Sequence, residues 1–182
     1  MTALELLLQR RSHGRLAHPA PTPEALDNLL AAAVNVPDHG RLQPWRFILV
    51  QDEGLTRLGA ILAAAESRRG GAADQIERAR TLPQRAPLII IVVASPKAHD
   101  KVPAWEQEAS AVCAAHAIQM AAYAQGYGAI WRSGYFAEDR GVTAELGIGE
   151  RESLVGFLYI GTPTDEAAPA PRIDVSTLIE RL

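Results

Sequence analysis

The segment from Ala104 to Gln125 constrains this chain more than any other, because it reads as one long helix that is apolar on almost every side. At helical spacing, Ala109, Val112, Cys113, Ala117, Met120, Ala121 and Ala124 share one face, while Ala111, Ala114, Ala115, Ile118 and Ala122 make the other faces apolar as well. A helix of this kind has to be covered nearly all round. In a chain of 182 residues one side can meet the chain's own sheet, and the opposite side needs another cover. Alanines permit close approach, so a second copy of the chain is the economical candidate. Burial as the central helix of a monomer is the alternative.

The remaining elements follow from pattern. Residues 2–11 read as a helix, and Thr22 is an N-cap for another from Pro23 to about Asn35, stopped by Pro37. Trp45 to Val50 reads as a strand, followed by a helix from about Gly54 to Ala65 and an exposed stretch from Ser67 to Asp74. A short helix covers 75–81. Leu88 to Val93 is continuous in apolar residues, so it is a strand covered on both faces. After the long helix come a strand at Ala129 to Arg132, a helix near Glu138 to Leu146 and a strand at Leu154 to Ile160. Thr162 to Pro171, rich in proline and alanine, is expected to lie over a surface. No internal repeat or interior boundary is visible, so 1–182 is expected to form a single domain.

Apolar content of 48% and a net charge of −3 describe an ordinary globular protein and give no basic stripe for nucleic acid. No run reaches the roughly 18 apolar residues of a membrane span, and no signal-peptide pattern opens the chain. The one cysteine, Cys113, excludes an intramolecular disulfide and suits a cytoplasmic location. On an apolar helix face it reads as a small core residue, not a nucleophile.

Motifs for protein-borne chemistry are missing. There is no His-Glu-x-x-His, no cysteine pair and no acidic cluster for a metal, no Gly-x-Ser-x-Gly, no phosphate-binding Gly-x-x-x-x-Gly-Lys loop and no Gly-x-Gly-x-x-Gly. If the protein is an enzyme, a cofactor carries the reaction.

Three stretches remain. Arg10-Arg11-Ser12 closes the first helix with two guanidinium forks and a hydroxyl, a set that suits phosphate oxygens; the plainer reading is that cations complement a helix dipole. Trp131-Arg132-Ser133-Gly134 ends a strand with an aromatic surface and an anion seat, or with a buried tryptophan and a surface arginine. The loop Asp38 to Trp45 is dense in hydrogen-bonding groups.

Together, Arg10-Arg11-Ser12, Gln43-Pro44-Trp45 and Gly156 to Pro163 resemble the nitroreductase family of flavoproteins. Lys101 to Glu108 and Gly128 to Gly134 look like its small YdjA-like branch of NAD(P)H nitroreductases. The resemblance spans essentially the whole chain. It implies an α+β fold with a central mixed sheet flanked by helices, forming an intertwined homodimer with FMN at the interface. By that similarity Arg10, Arg11 and Ser12 contact the flavin of their own subunit, and Trp131, Arg132 and Ser133 complete its phosphate and ribityl end. Asn35 and His39 match positions that reach the flavin from the neighbouring subunit. Gln125 and Gly126 could border the nicotinamide approach, although a helix C-cap explains them as well. Gly14 stands where many relatives have a basic residue, with Arg15 one place later, and Arg41 stands where an asparagine is common. The implied activity is hydride transfer from NAD(P)H through FMN to a nitro, quinone or similar small acceptor. A flavin-storing or sensing protein, or reductive dehalogenation or flavin destruction on the same scaffold, is the alternative.

Overall fold

The computed structural model describes residues 1–167 and 173–182. Its centre is strand β3 (Leu88–Ala94), which pairs with β2 (Trp45–Gln51) on one edge and with β5 (Ser153–Pro163) on the other. All seven residues of β3 are fully buried. Side chains alternate across a strand, so this one segment seeds two cores. Leu88, Ile90 and Val92 pack with α2 (Pro23–Ala33) and α5 (Ala104–Ala124). Ile89, Ile91 and Val93 pack with α3 (Glu53–Arg68), α4 (Ala73–Thr81) and α6 (Arg140–Glu145).

Strand β4 (Gly128–Arg132) lies on the far side of β5, and the two-residue β1 (Leu16–Ala17) pairs with Thr162 and Pro163. Every pairing within the described residues is antiparallel, not mixed as the resemblance implied. The reason lies in the connection through α5. It joins two strands that run the same way, β3 and β4, as a crossover does. Strand β5 then inserts between them and pairs antiparallel with both.

The element boundaries follow capping chemistry. Helix α1 (Ala3–Gln9) starts at Thr2, whose hydroxyl accepts the Glu5 amide while the Glu5 carboxylate accepts the Thr2 amide. Helix α2 is capped by Thr22, with Pro23 at its first position. Helix α6 begins at Arg140, not Glu138, because the Asp139 carboxylate accepts the Val142 amide at 2.9 Å. Helix α3 runs on through Arg68, so the exposed stretch expected from Ser67 to Asp74 shrinks to a four-residue connector before α4. Buried Glu66, bonded to the Tyr135 hydroxyl, anchors that last turn. Strand β5 extends past Ile160 to Pro163, drawn on by β1 and by the Gly128–Gly161 pairing. The rest of the expected tail falls partly on residues 168–172, outside the described residues.

Helix α5 has two unlike sides. Ala111, Ala114, Ala115, Ile118 and Ala122 are fully buried against the sheet and α2. On the other side Trp105 (67% exposed) and Val112 (45%) stand out with Ala109 and Cys113. Cys113 is therefore exposed in the chain and not a core residue of it. Helix α1, which packs on α5, adds Leu4, Leu7 and Leu8, also largely exposed. Among the described residues no helix is long and apolar enough to cross a membrane.

Candidate functional site

The Arg10–Ser12 segment leaves α1 and runs beside the sheet edge, where the His13 amide donates to the Ala129 carbonyl of β4 at 3.1 Å. Trp131, Arg132 and Ser133 lie two to four residues further along that strand and its exit. Two of the three expected groups thus sit on adjoining chain segments. Arg11 folds back, its Nη1 donating to the carbonyls of Leu8 (3.0 Å) and Arg10 (2.7 Å), so it closes the helix end. Among the described residues the Arg10 guanidinium has no hydrogen-bond or ion-pair partner, and Ser12 is exposed.

Arg11 and His13 line an open cleft of about 680 Å³ with Tyr123, Gly126, Tyr127 and Glu166. Gly126 has φ +83°, a left-handed turn that a side chain would strain. Gln125 has less freedom for a ligand. Its Oε1 accepts from Asn28 (3.2 Å), and its Nε2 donates to the carbonyls of Ala25 (3.4 Å) and Ala121 (3.2 Å), tying α2 to α5. The buried Nδ1 of His13 has no partner among the described residues.

Along β4, Trp131 and Arg132 face opposite sides of the sheet, as strand alternation requires. The Trp131 indole packs on the α5 side and donates to the Val155 carbonyl at 3.2 Å. The Arg132 guanidinium stands 6.0 Å over the Tyr159 ring on the α3 side. It lines a different pocket from Arg11, with Glu66, Arg69, Arg78, Arg85 and Tyr135. Burial pushes the Tyr159 phenol up, and Arg132 and Arg85 oppose that shift. The reading of Arg132 as a phosphate ligand beside Arg10 therefore meets a side chain turned to the other face.

Asn35 and His39 lie elsewhere. The His39 Nδ1–H donates to the Glu106 carboxylate at 2.7 Å, near the N-terminal end of α5, which leaves Nε2 free to face a ligand. Asn35 donates to its own helix at Ala31 (2.9 Å). The loop between them and β2 is held by Asp38, whose carboxylate accepts the amides of Leu42 (3.1 Å) and Gln43 (2.7 Å). Arg41 and Gln43 adopt φ of 55° and 50°, a costly conformation that these two bonds help to hold. Glu106 and the loop carboxylate Asp38 were not singled out from sequence; the histidine-to-acid contact spans 67 positions and leaves no local signal. No group of three or more potential metal ligands occurs among the described residues.

An antiparallel sheet covered by helices on both faces, with Arg10 and Arg11 leaving a helix beside one edge, defines an α+β protein. Residues 7–162 match the Nitroreductase family model, and the chain belongs to the nitroreductase family. It is 51% identical over 168 residues to the protein named "Putative NAD(P)H nitroreductase YdjA" of Escherichia coli strain K12, covering 92% of each chain. Among solved structures it is similar to the nitroreductase-like family protein from Bacillus cereus, with a TM-score of 0.84, 22% identity, and coverage of 100% of this chain and 96% of that one. It is also similar to a mutant of the FMN and NADPH-dependent nitroreductase NfnB from Sphigopyxis sp. strain HMH, with a TM-score of 0.78, 21% identity, and coverage of 100% and 99%. The chain is thus an oxidoreductase of that family.

Proposed function

We propose that this chain is an NAD(P)H-dependent reductase that holds FMN between two copies of itself and reduces a nitro, quinone or similar small acceptor. When bound, the flavin supplies hydride chemistry, passing reducing equivalents from the nicotinamide to the acceptor. The polypeptide binds, orients and excludes water. Arg10, whose guanidinium has no partner among the described residues, would take the cofactor phosphate, and Ser12 would offer a hydroxyl beside it. Trp131 supplies apolar surface, and Arg132 and Ser133 contribute through the backbone of the strand exit. Arg11 or Arg15 would set a fixed cation beside the bound cofactor's ring system.

One observation carries this reading: the two halves of the expected site stand at opposite ends of α5. His39 is tied to Glu106 at its start, and Arg11 shares a cleft with Gly126 just past its end. Twenty residues of helix separate those ends by about 30 Å. One chain cannot close that gap. A second copy, packed antiparallel on the exposed apolar face of α5, sets the His39 and Asn35 of one subunit beside the arginines of the other. The same contact covers Trp105 and Val112. Energetics point the same way. A charge-assisted bond contributes about 1.5–3 kcal/mol, whereas micromolar retention needs roughly 8 kcal/mol. Apolar burial between two chains must add the rest.

The protein is expected to act in the cytoplasm. Freshly purified protein supplied with FMN is expected to be yellow and to bleach when NADPH or NADH is added without oxygen. A flavin band that survives both nucleotides would leave a storage or sensing role in place of a reductase.

A further inference from the structure

We infer that the pocket between α3, α4, the turn Leu82–Arg85 and the exit of β4 is a second anion site, built for a dianionic phosphate group and separate from the flavin cleft. Four arginines line it, Arg69, Arg78, Arg85 and Arg132, with Glu66 as the one acidic residue among its lining. The chain as a whole carries −3, so this concentration of positive charge is local. Glu66 is already engaged by the Tyr135 hydroxyl and lies 4.0 Å from Arg69, and it leaves the other three cations uncompensated. Among the described residues, Arg78, Arg85 and Arg132 form no ion pair.

Two details mark the pocket as built. Among the described residues the buried Nε of Arg132, on the pocket's wall, has no hydrogen-bond partner, a costly state for a donor. Arg69 is held 4.0 Å over the Tyr135 ring, which fixes one wall of the pocket in place. Guanidinium forks match phosphate oxygens in pairs. A volume of about 340 Å³ admits a phosphate and a small attached fragment, not a whole dinucleotide. Tyr135 and Arg132 flank Ser133 and Gly134, so occupancy also braces the strand exit proposed to meet the flavin. The phosphate belongs either to a small phosphate ester or to the 2′-position of NADPH, whose remainder would extend out of the pocket.

The test is calorimetric titration of inorganic phosphate into the flavin-loaded protein. Saturable binding is expected, weakened at least tenfold in Arg85→Gln and in Arg78→Gln, with flavin content unchanged in both variants. Arg57→Gln, on the exposed side of α3, is expected to bind as the native chain does. Repeating the titration with saturating NADP+ or NAD+ identifies the source. Loss of binding with NADP+ alone assigns the 2′-phosphate, and binding kept with both assigns a free ester; each supports the site. Absence of saturable binding, or equal binding in all variants, overturns the inference. So does binding to the flavin-free protein alone, or loss of flavin from the Arg85 and Arg78 variants, since either makes the pocket the flavin's own phosphate seat.

Discussion

The indole nitrogen of Trp131 occupies the space that a side chain on Gly156 would need. Glycine at 156 lets β5 pass under the tryptophan, which then donates to the neighbouring Val155 carbonyl and offers its ring to the α5 side. Gly156→Ala is therefore expected to displace Trp131. Overpacking of this kind costs about 1–3 kcal/mol, equal to a Tm lower by roughly 2–4 °C per kcal/mol. Thermal melts and flavin content measured on the same sample check it. Flavin loss is expected to exceed what the fall in stability alone explains.

The exposed face of α5 makes a second prediction. Val112→Arg sets a charge in the middle of the apolar stripe while leaving the buried face of the helix intact. The variant is expected to fold, to sediment as a monomer and to lose flavin at the same time. A variant that stays dimeric and yellow places the interface elsewhere.

Arg46 and Glu152 form a two-pronged pair, with Nε to Oε1 at 2.8 Å and Nη2 to Oε2 at 2.7 Å. Hydrogen bonding from Arg46 holds the Glu152 carboxyl at about 2, below its ordinary 4.5. Because the folded value is depressed, the pair's contribution is complete above about 4.5 and is lost as pH falls through about 2. The pair is partly open to solvent, so its worth is of the order of 1 kcal/mol. Urea midpoints of the native chain and of Glu152→Gln are expected to differ at pH 6 and to converge as the pH approaches 2.

Gln107 is buried and serves the backbone of the loop before α5. Its Oε1 accepts the Lys97 amide (2.8 Å), and its Nε2 donates to the carbonyls of Lys97 (2.9 Å) and Val102 (3.2 Å). Gln107→Ala strands three loop groups, and at about 1 kcal/mol each the loss is near 3 kcal/mol. Chemical denaturation measures it. Gln107→Glu, which sets a buried carboxylate against the Lys97 and Val102 carbonyl oxygens, is expected to lose at least as much.

What the sequence made legible was set by what is local. Leu88 to Val93 could be read as a strand buried on both sides because every residue in it is apolar, and the two cores confirm the reason. That α5 is apolar nearly all round was legible too, but which side meets the sheet was not: Ala111, Ala114, Ala115 and Ile118 turn inward while Val112 and Cys113 stay exposed. Contacts between distant segments were not legible either. His39 with Glu106, Glu66 with Tyr135 and the gathering of Arg69, Arg78, Arg85 and Arg132 depend on how helices cross the sheet, and no spacing records them. The resemblance implied a mixed sheet, whereas the pairings are antiparallel, and nothing in β5 itself says that it will slip between β3 and β4. Cys113 was misplaced because an apolar face signals burial without saying which chain supplies the cover.

The central claim is that two chains are needed to complete each flavin site. Sedimentation followed at both protein and flavin absorbance tests it most directly. The expected result is a single species of twice the chain's mass carrying two flavins, with both signals moving together and both lost in Val112→Arg. Flavin travelling with single chains, or stable dimers that take up none, would contradict it.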